Sequence, residues 1–206
     1  MRVGHFYHLY ADGSWEKAAA EHAAALRWSA FTGNIAVGIV GEKQRRAAAR
    51  RWLAREFGPC EIAAEADTGF EQVTIRALHD WALTQQDEAA VLYAHTKGAA
   101  NHSKHNDLWR QSMTNWVVSE WRDCVKLLSD HDAVGCHWLT TGEYGDRLPG
   151  DMFGGNFWWA RASYLASLPP VDDTNRHMAE TWLALGDPVI YDLRPGWPTQ
   201  ELLTSS

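Results

Sequence analysis

Four residues in a row, His95-Thr96-Lys97-Gly98, follow the apolar run Val91-Leu92-Tyr93-Ala94 and carry the densest chemistry in the chain. A lysine there can neutralise a phosphate, the glycine lets backbone approach it, and the histidine can ligate a metal or hydrogen-bond an oxygen. Thr96 adds a hydroxyl. The competing reading is a solvated loop with a chance basic residue. A second constellation, Phe153-Gly154-Gly155-Asn156-Phe157-Trp158-Trp159-Ala160, sets two glycines beside an amide that both donates and accepts. Strand periodicity puts Trp158 and Trp159 on opposite faces, so that one stays in the core while the other meets a sugar or base. Taken singly, each ring reads more simply as core packing. Glu180, in Glu180-Thr181-Trp182, can take a proton from a hydroxyl, against the plainer reading of an exposed helical glutamate.

Several common chemistries have no counterpart. The chain holds no Gly-x-Gly-x-x-Gly after its first strand, no Gly-x-x-x-x-Gly-Lys-Ser/Thr and no Gly-x-Ser-x-Gly. That disfavours a dinucleotide dehydrogenase, a P-loop enzyme and an α/β-hydrolase. His95, His102 and His105 share one loop, but their spacing fits no standard zinc pattern.

These residues must be positioned by alternating strands and helices. Val3 to Tyr10 reads as a buried strand, and Ser14 is placed to cap a helix from Trp15 to about Ser29. Asn34 to Val40 is a second strand, followed by a basic helix (Arg45, Arg46, Arg50, Arg51) that Gly58-Pro59 stops. Cys60 to Ala64 is a third strand. Thr68-x-x-Glu71 has the form of a capping box for a helix whose buried face is Phe70, Val73, Ala77 and Trp81. Ala89 to Ala94, wholly apolar, reads as a central strand. A long helix from Asp107 to Ser129 has the buried stripe Trp109, Met113, Trp116, Val117, Cys124 and Leu128. Further strands are expected over Ala133 to Leu139, Phe153 to Ala160 and Val189 to Leu193, with helices over Arg161 to Leu168 and Arg176 to Leu185. The alternation implies a mostly parallel sheet. Ligands then sit beyond the strand ends, at Tyr10 to Gly13, Gly41 to Lys43, Glu65 to Thr68 and His95 to Gly98.

With 206 residues, 46% of them apolar, the chain can bury one ordinary core and is expected to form a single domain. Nineteen basic residues against 26 acidic give a net charge of −7, which argues against main affinity for bulk nucleic-acid backbone. Cys60, Cys124 and Cys136 encode neither a disulfide framework nor a zinc knuckle. No membrane span and no signal peptide are legible, so a cytoplasmic protein is expected. The twelve tryptophans exceed the needs of a core. Trp81, Trp109, Trp116 and Trp121 fall at helical spacings; Trp138, Trp158, Trp159 and Trp182 are the ones expected to stack on rings.

Leu92-Tyr93-Ala94-His95-Thr96-Lys97-Gly98, Asp132-Ala133-Val134-Gly135 with Trp138, Gly154-Gly155-Asn156-Phe157-Trp158-Trp159-Ala160-Arg161 and Glu180-Thr181-Trp182-Leu183 together resemble a group of small bacterial and phage glycosyltransferase-like proteins. These are similar in turn to the rhamnan-synthesis glycosyltransferases. The resemblance spans nearly the whole chain. It implies an α/β, GT-A-like (Rossmann-like) mixed and mostly parallel sheet, with residues 1–130 as the nucleotide-binding half and 131–195 as the acceptor side. It also implies sugar transfer from a nucleotide-sugar donor to an acceptor hydroxyl on a glycan, a protein side chain or a modified nucleic-acid base. The family's Asp-x-Asp metal motif is expected at the end of the central strand, where this chain has His95-Thr96-Lys97; its one Asp-x-Asp, Asp130-His131-Asp132, precedes a strand. Either Lys97 replaces the metal's charge, or His95 joins a carboxylate such as Asp151 in holding Mn²⁺ or Mg²⁺. His95, Lys97, Thr96 and Gly98 are then expected on the diphosphate side. Asn156, Gly155 and Trp158 or Trp159 are expected at the sugars, Glu180 or Asp151 as general base, and Tyr10, Glu71 and Thr74 near the nucleotide.

Two other readings stand beside it. One is a non-catalytic nucleotide-sugar or carbohydrate-binding module of the same fold. The other is a metal-dependent hydrolase built on the histidine loop.

Overall fold

The computed structural model describes residues 1–100, 103–172, 175 and 177–195. Strands β1 (Arg2–Tyr10), β2 (Asn34–Val40), β3 (Glu61–Ala66) and β4 (Ala89–His95) alternate with helices α1 (Trp15–Trp28), α2 (Lys43–Glu56) and α3 (Gln72–Leu83). All pairings among these four strands are parallel. Their order runs β3-β2-β1-β4, so the chain winds outward, then returns across β1 to add β4. Right-handed crossovers therefore place α1 and α2 on one face and α3 on the other. The hydrophobic clusters agree: Ala19, Leu26, Ala49 and Leu53 pack with Leu9 and Leu92 on one side, while Ile75, Leu78 and Ala82 pack with Phe6 and Tyr93 on the other. All seven residues of β4 are buried, as a central strand covered on both faces requires.

The second half completes the same sheet with a change of direction. β8 (Trp158–Arg161) inserts antiparallel between β4 and β5 (Ala133–Gly135), and β9 (Ile190–Asp192) pairs parallel to β5. The result is one domain with a seven-stranded, mixed, mostly parallel sheet between helical layers. A two-stranded ribbon of β6 (Trp138–Leu139) and β7 (Met152–Phe153) stands beside it. Helices α7 (Ala162–Ser167) and α8 (Met178–Thr181) join the α3 face. Among the described residues, no helix is long and apolar enough to cross a membrane.

Several elements depart from the periodicity reading. The expected strand from Ala133 to Leu139 breaks at His137, whose φ of 61° turns the chain out of the sheet; Asp192 accepts from both His137 N and Trp138 N at 2.8 Å to hold the corner. The run from Phe153 to Ala160 breaks in the same way at Gly155 and Asn156, with φ of 85° and 57°. The Thr140 to Met152 loop contains a short helix, α6 (Thr141–Tyr144), capped by Thr140. The third strand starts at Glu61, one residue after Cys60, and extends to Ala66. Of the expected Arg176 to Leu185 helix, Arg176 lies outside the described residues, and α8 passes into a 3₁₀ turn at Trp182.

The long helix is three pieces: α4 (Lys104–Met113), a π-helical segment over Thr114–Ser119, and α5 (Trp121–Leu127). The wider turn rotates the downstream residues, so Val117, Val118 and Trp121 face the core while Trp116 is exposed. Two expected caps are also absent. Neither Ser14 nor Glu71 makes a side-chain cap bond, and Phe70 is exposed because the buried face of α3 runs through Ile75, Leu78 and Ala82. Ser103 is the effective cap of α4, accepting from Asn106 N at 3.0 Å.

Candidate active site

In an open α/β sheet the ligand crevice lies where strand order reverses, beyond the carboxyl ends of the strands. Here that place is between β1 and β4, whose last paired residues are His8 and His95. Thr96 locks the two strand ends together: its backbone N–H donates to His8 O, and its Oγ1 accepts from Tyr10 N, both at 3.0 Å. Tyr10 and Thr96 are thus brought into the site by backbone bonds.

Tyr93 and His95, two apart on β4, point to the α3 side. Glu71 stands over them. Its Oε2 accepts from Tyr93 Oη at 2.9 Å and from Asn156 Nδ2 at 2.7 Å, while Oε1 lies 3.3 Å from His95 Nδ1. The expected capping glutamate is instead the centre of a polar cluster drawn from α3, β4 and the turn before β8. Burial and the neighbouring Glu71 charge hold the Tyr93 phenol well above its ordinary range, so it serves as a donor.

His95 is lowered to about 3, first by burial and then by the charge of Lys97. Neutral, its Nε2–H donates to Gly155 O at 2.9 Å, which leaves the Nδ1 lone pair toward Glu71. That contact is attractive only while a proton lies between the two atoms. His8 is lowered to about 4 by burial, opposed by the Glu71 charge, and its Nδ1 lies 2.8 Å from Thr74 Oγ1. Thr74 is wholly buried against Gly38, where a Cβ would sit 2.0 Å from its hydroxyl, so it supports His8 and does not reach a ligand.

Asn156 is spent entirely within the protein. Besides Glu71, its amide reaches Ala179 O at 3.3 Å, and its Oδ1 accepts from Trp158 Nε1 at 2.8 Å. The expected direct sugar contact is replaced by a relay in which Trp158 orients Asn156 and Asn156 orients Glu71. Neither tryptophan offers a ring face to a ligand. Trp158 stacks on Tyr93 with centroids 5.1 Å apart, and Trp159 lies in the opposite core layer with its Nε1 donating to Val117 O at 2.8 Å. Trp182 is likewise buried, donating to Pro169 O.

Lys97 rests its ammonium over the Trp109 ring, 4.4 Å from the centroid. Its carbonyl accepts from Arg110 Nη1 at 2.8 Å, and buried Arg110 in turn holds Glu21 and Asp107. Gly98 turns with φ of 81° against Asn106. Gly155 is needed for contact with α4, since a Cβ there would meet Met113 Sδ at 2.6 Å. Glu180 is partly exposed and lies 3.3 Å from His177 Nδ1; its charge is felt at both Tyr93 and His95. Asp151 is not gathered with it, because its Oδ1 accepts from Thr141 N at 2.7 Å and Thr141 Oγ1 at 2.9 Å. The crevice therefore presents Lys97, Glu71 and Glu180, backed by His95, Tyr93 and Asn156. Tyr93, His8 and Arg110 are absent from the sequence-based set. The i, i+2 spacing of Tyr93 and His95 on one strand is the signal that marks the first of them.

This donor set does not fit a divalent cation. One His95 nitrogen is bonded to a carbonyl and the other faces Glu71, and Asp151 is bound to its own loop. No group of three His, Cys, Asp or Glu side chains among the described residues could hold a metal. His102 lies outside the described residues.

No curated protein matches the chain in sequence. Among solved structures, the crystal structure of S. aureus TarS 1–349 superposes with a TM-score of 0.50 at 13% identity, over 94% of this chain and 58% of that one. The chain thus spans little more than half the length of that structure, and the likeness, to a glycosyltransferase, is one of fold alone. A family model described as Domain of unknown function (DUF8361) matches residues 6–200, so the chain belongs to the DUF8361 family.

Proposed function

We propose that this protein is a glycosyltransferase that moves a sugar from a nucleotide-sugar donor to an acceptor hydroxyl. The observation that carries the reading is the meeting of Glu71, His95 and Asn156 at the switch point of a glycosyltransferase-like sheet, with Lys97 beside them. The donor lies over residues 1–130 and the acceptor against residues 131–195. In the transfer, the bond from the anomeric carbon to the donor's phosphate oxygen breaks and a bond to the acceptor oxygen forms. Lys97 faces the negative charge left on the diphosphate, and its seat on Trp109 keeps it oriented without reorganisation. Glu180, the more exposed carboxylate, takes the acceptor proton. Glu71, held by two donors, orients the donor sugar. No step is routed through a metal. The likeness to rhamnan-synthesis enzymes rests on the sequence motifs. Three free cysteines suit a reducing, cytoplasmic setting.

One observation favours the non-catalytic alternative: Asn156, Thr96 and His95 are already satisfied by protein partners. A thermal-shift screen of nucleotide sugars, with and without Mn²⁺, followed by measurement of free nucleotide separates the two. Donor binding with nucleotide release supports transfer. Binding without release supports a nucleotide-sugar-binding module, and no binding of any nucleotide sugar defeats both the transferase and that module.

A further inference from the structure

A groove of about 500 Å³ runs between α1 and the π-helical segment. Its apolar side is the Trp28 indole, 76% exposed at the end of α1 with no core role. Its polar side is lined by Glu21, Glu120, Gln111, Asn115 and Thr114. An accessible indole facing planar carboxylates and amides matches a pyranose ring, which has one C–H face for stacking and a rim of hydroxyls for hydrogen bonds. Among the described residues no lysine or arginine lines the groove, and two glutamates do, so an anionic ligand is disfavoured. One wall of the groove is held in place. Arg110 holds Glu21 Oε2 through Nε at 3.0 Å and Nη2 at 2.8 Å, so this wall is preorganised. The π-helical turn itself supplies Thr114 and Asn115, a placement common for such turns at functional positions.

We propose that this groove is a second binding site, for a neutral saccharide of one or two rings, stacked on Trp28 and hydrogen-bonded by Glu120, Gln111 and Asn115. It does not depend on the transfer reaction. Arg110 nevertheless joins it to the crevice, because the guanidinium that holds Glu21 also holds the Lys97 carbonyl.

The test is a titration of the full chain followed through the indole N–H resonances in ¹H–¹⁵N spectra. N,N′-diacetylchitobiose, cellobiose and maltose are the neutral probes, and digalacturonate is the acidic control. At least one neutral probe is expected to shift, to saturation at millimolar concentration, the resonance that is missing in Trp28→Ala. That affinity is expected to fall about tenfold or more in Trp28→Ala and severalfold in Glu120→Gln, both exposed changes that leave the melting temperature unchanged. Digalacturonate is expected not to bind. The proposal is overturned if no neutral probe shifts that resonance at tens of millimolar, if both variants bind like the wild type, or if only digalacturonate binds. Nucleotide-sugar turnover measured on the same samples reports separately on the crevice.

Discussion

Asn156 Nδ2 donates to Glu71 Oε2 across 2.7 Å, joining the turn before β8 to the start of α3 over 85 residues of chain. Through this bond the two halves of the molecule share one carboxylate. Asn156 holds a φ of 57°, a conformation that asparagine tolerates better than most residues, and it is 1% exposed. The strained backbone and the hydrogen bonds can therefore be separated by substitution.

Asn156→Gly removes the three side-chain bonds but suits the backbone, whereas Asn156→Ala removes the bonds and adds strain. Glycine is expected to cost about 1–3 kcal/mol, from the buried Trp158 N–H and Glu71 left short of partners. Alanine is expected to cost about 1 kcal/mol more. Urea unfolding of both variants checks the order. An alanine variant as stable as wild type would remove Asn156 from its proposed place.

Gly155→Ala sets a Cβ against Met113 Sδ at 2.6 Å and Trp109 at 3.1 Å, on a backbone with φ of 85°. Strain of about 1–2 kcal/mol and overpacking of about 1–3 kcal/mol are expected together. In a Met113→Ala background, compared with Met113→Ala alone, Gly155→Ala should keep the strain and lose most of the overpacking. Denaturation midpoints of the single and double variants read the two contributions.

Stability should fall with acid in a window set by histidines. His5 and His8 are lowered to about 4 and His95 to about 3, and His22 lies well below its ordinary value, in each case chiefly by burial. Their folded values lie below the unfolded value of about 6.5, so the unfolded chain binds more protons in between. Stability is full above about pH 6.5 and declines as the pH falls from there toward the lowered folded-state values. Proton uptake on unfolding near pH 5.5 should approach four, one for each of the four histidines. A stability flat between pH 6.5 and pH 4.5 would contradict their burial as neutral rings.

Lys97→Ala should weaken nucleotide-sugar binding by tenfold or more, because it removes the cation proposed to face the diphosphate. Glu180→Gln should leave donor binding intact and lower the transfer rate by 10²-fold or more, the scale of a lost general base. Saturating EDTA should change neither binding nor rate, since no group of three metal-ligating side chains gathers among the described residues. Binding and turnover assays on the same preparations check all three. Full activity of both variants would refute the assignment.

The parallel half of the fold was legible because its strands are short apolar runs with clear turn residues between helices. Ala89 to Ala94 read as the central strand for the reason the structure confirms, burial on both faces. Strand-end logic placed His95 and Lys97 at the end of that strand, and β4 does end at His95. What periodicity could not convey was any element broken by one residue's backbone. His137, Gly155 and Asn156 take positive φ within runs that alternate like strands; glycine, asparagine and histidine tolerate that conformation, but their types permit such a break without requiring it. The aromatic residues misled for a related reason. Trp158 and Trp159 do lie on opposite faces, but both faces are covered, so neither ring is offered to a ligand. Glu71 carried a capping signal, and a tertiary contact from far along the chain took its carboxylate instead.

The π-helical segment over Thr114–Ser119 acts as a phase adjuster between two lengths of helix that must answer to different partners. Upstream, Arg110 has to face inward to clamp the Lys97 carbonyl; downstream, Cys124 and Leu128 have to meet the sheet. A regular helix advances by about 100° per residue, so it could satisfy only one of these at a time. Deleting a single residue from this segment would tidy the helix and swing Arg110 off its carbonyl. The slack in one turn thus decides whether the lysine loop is held at all.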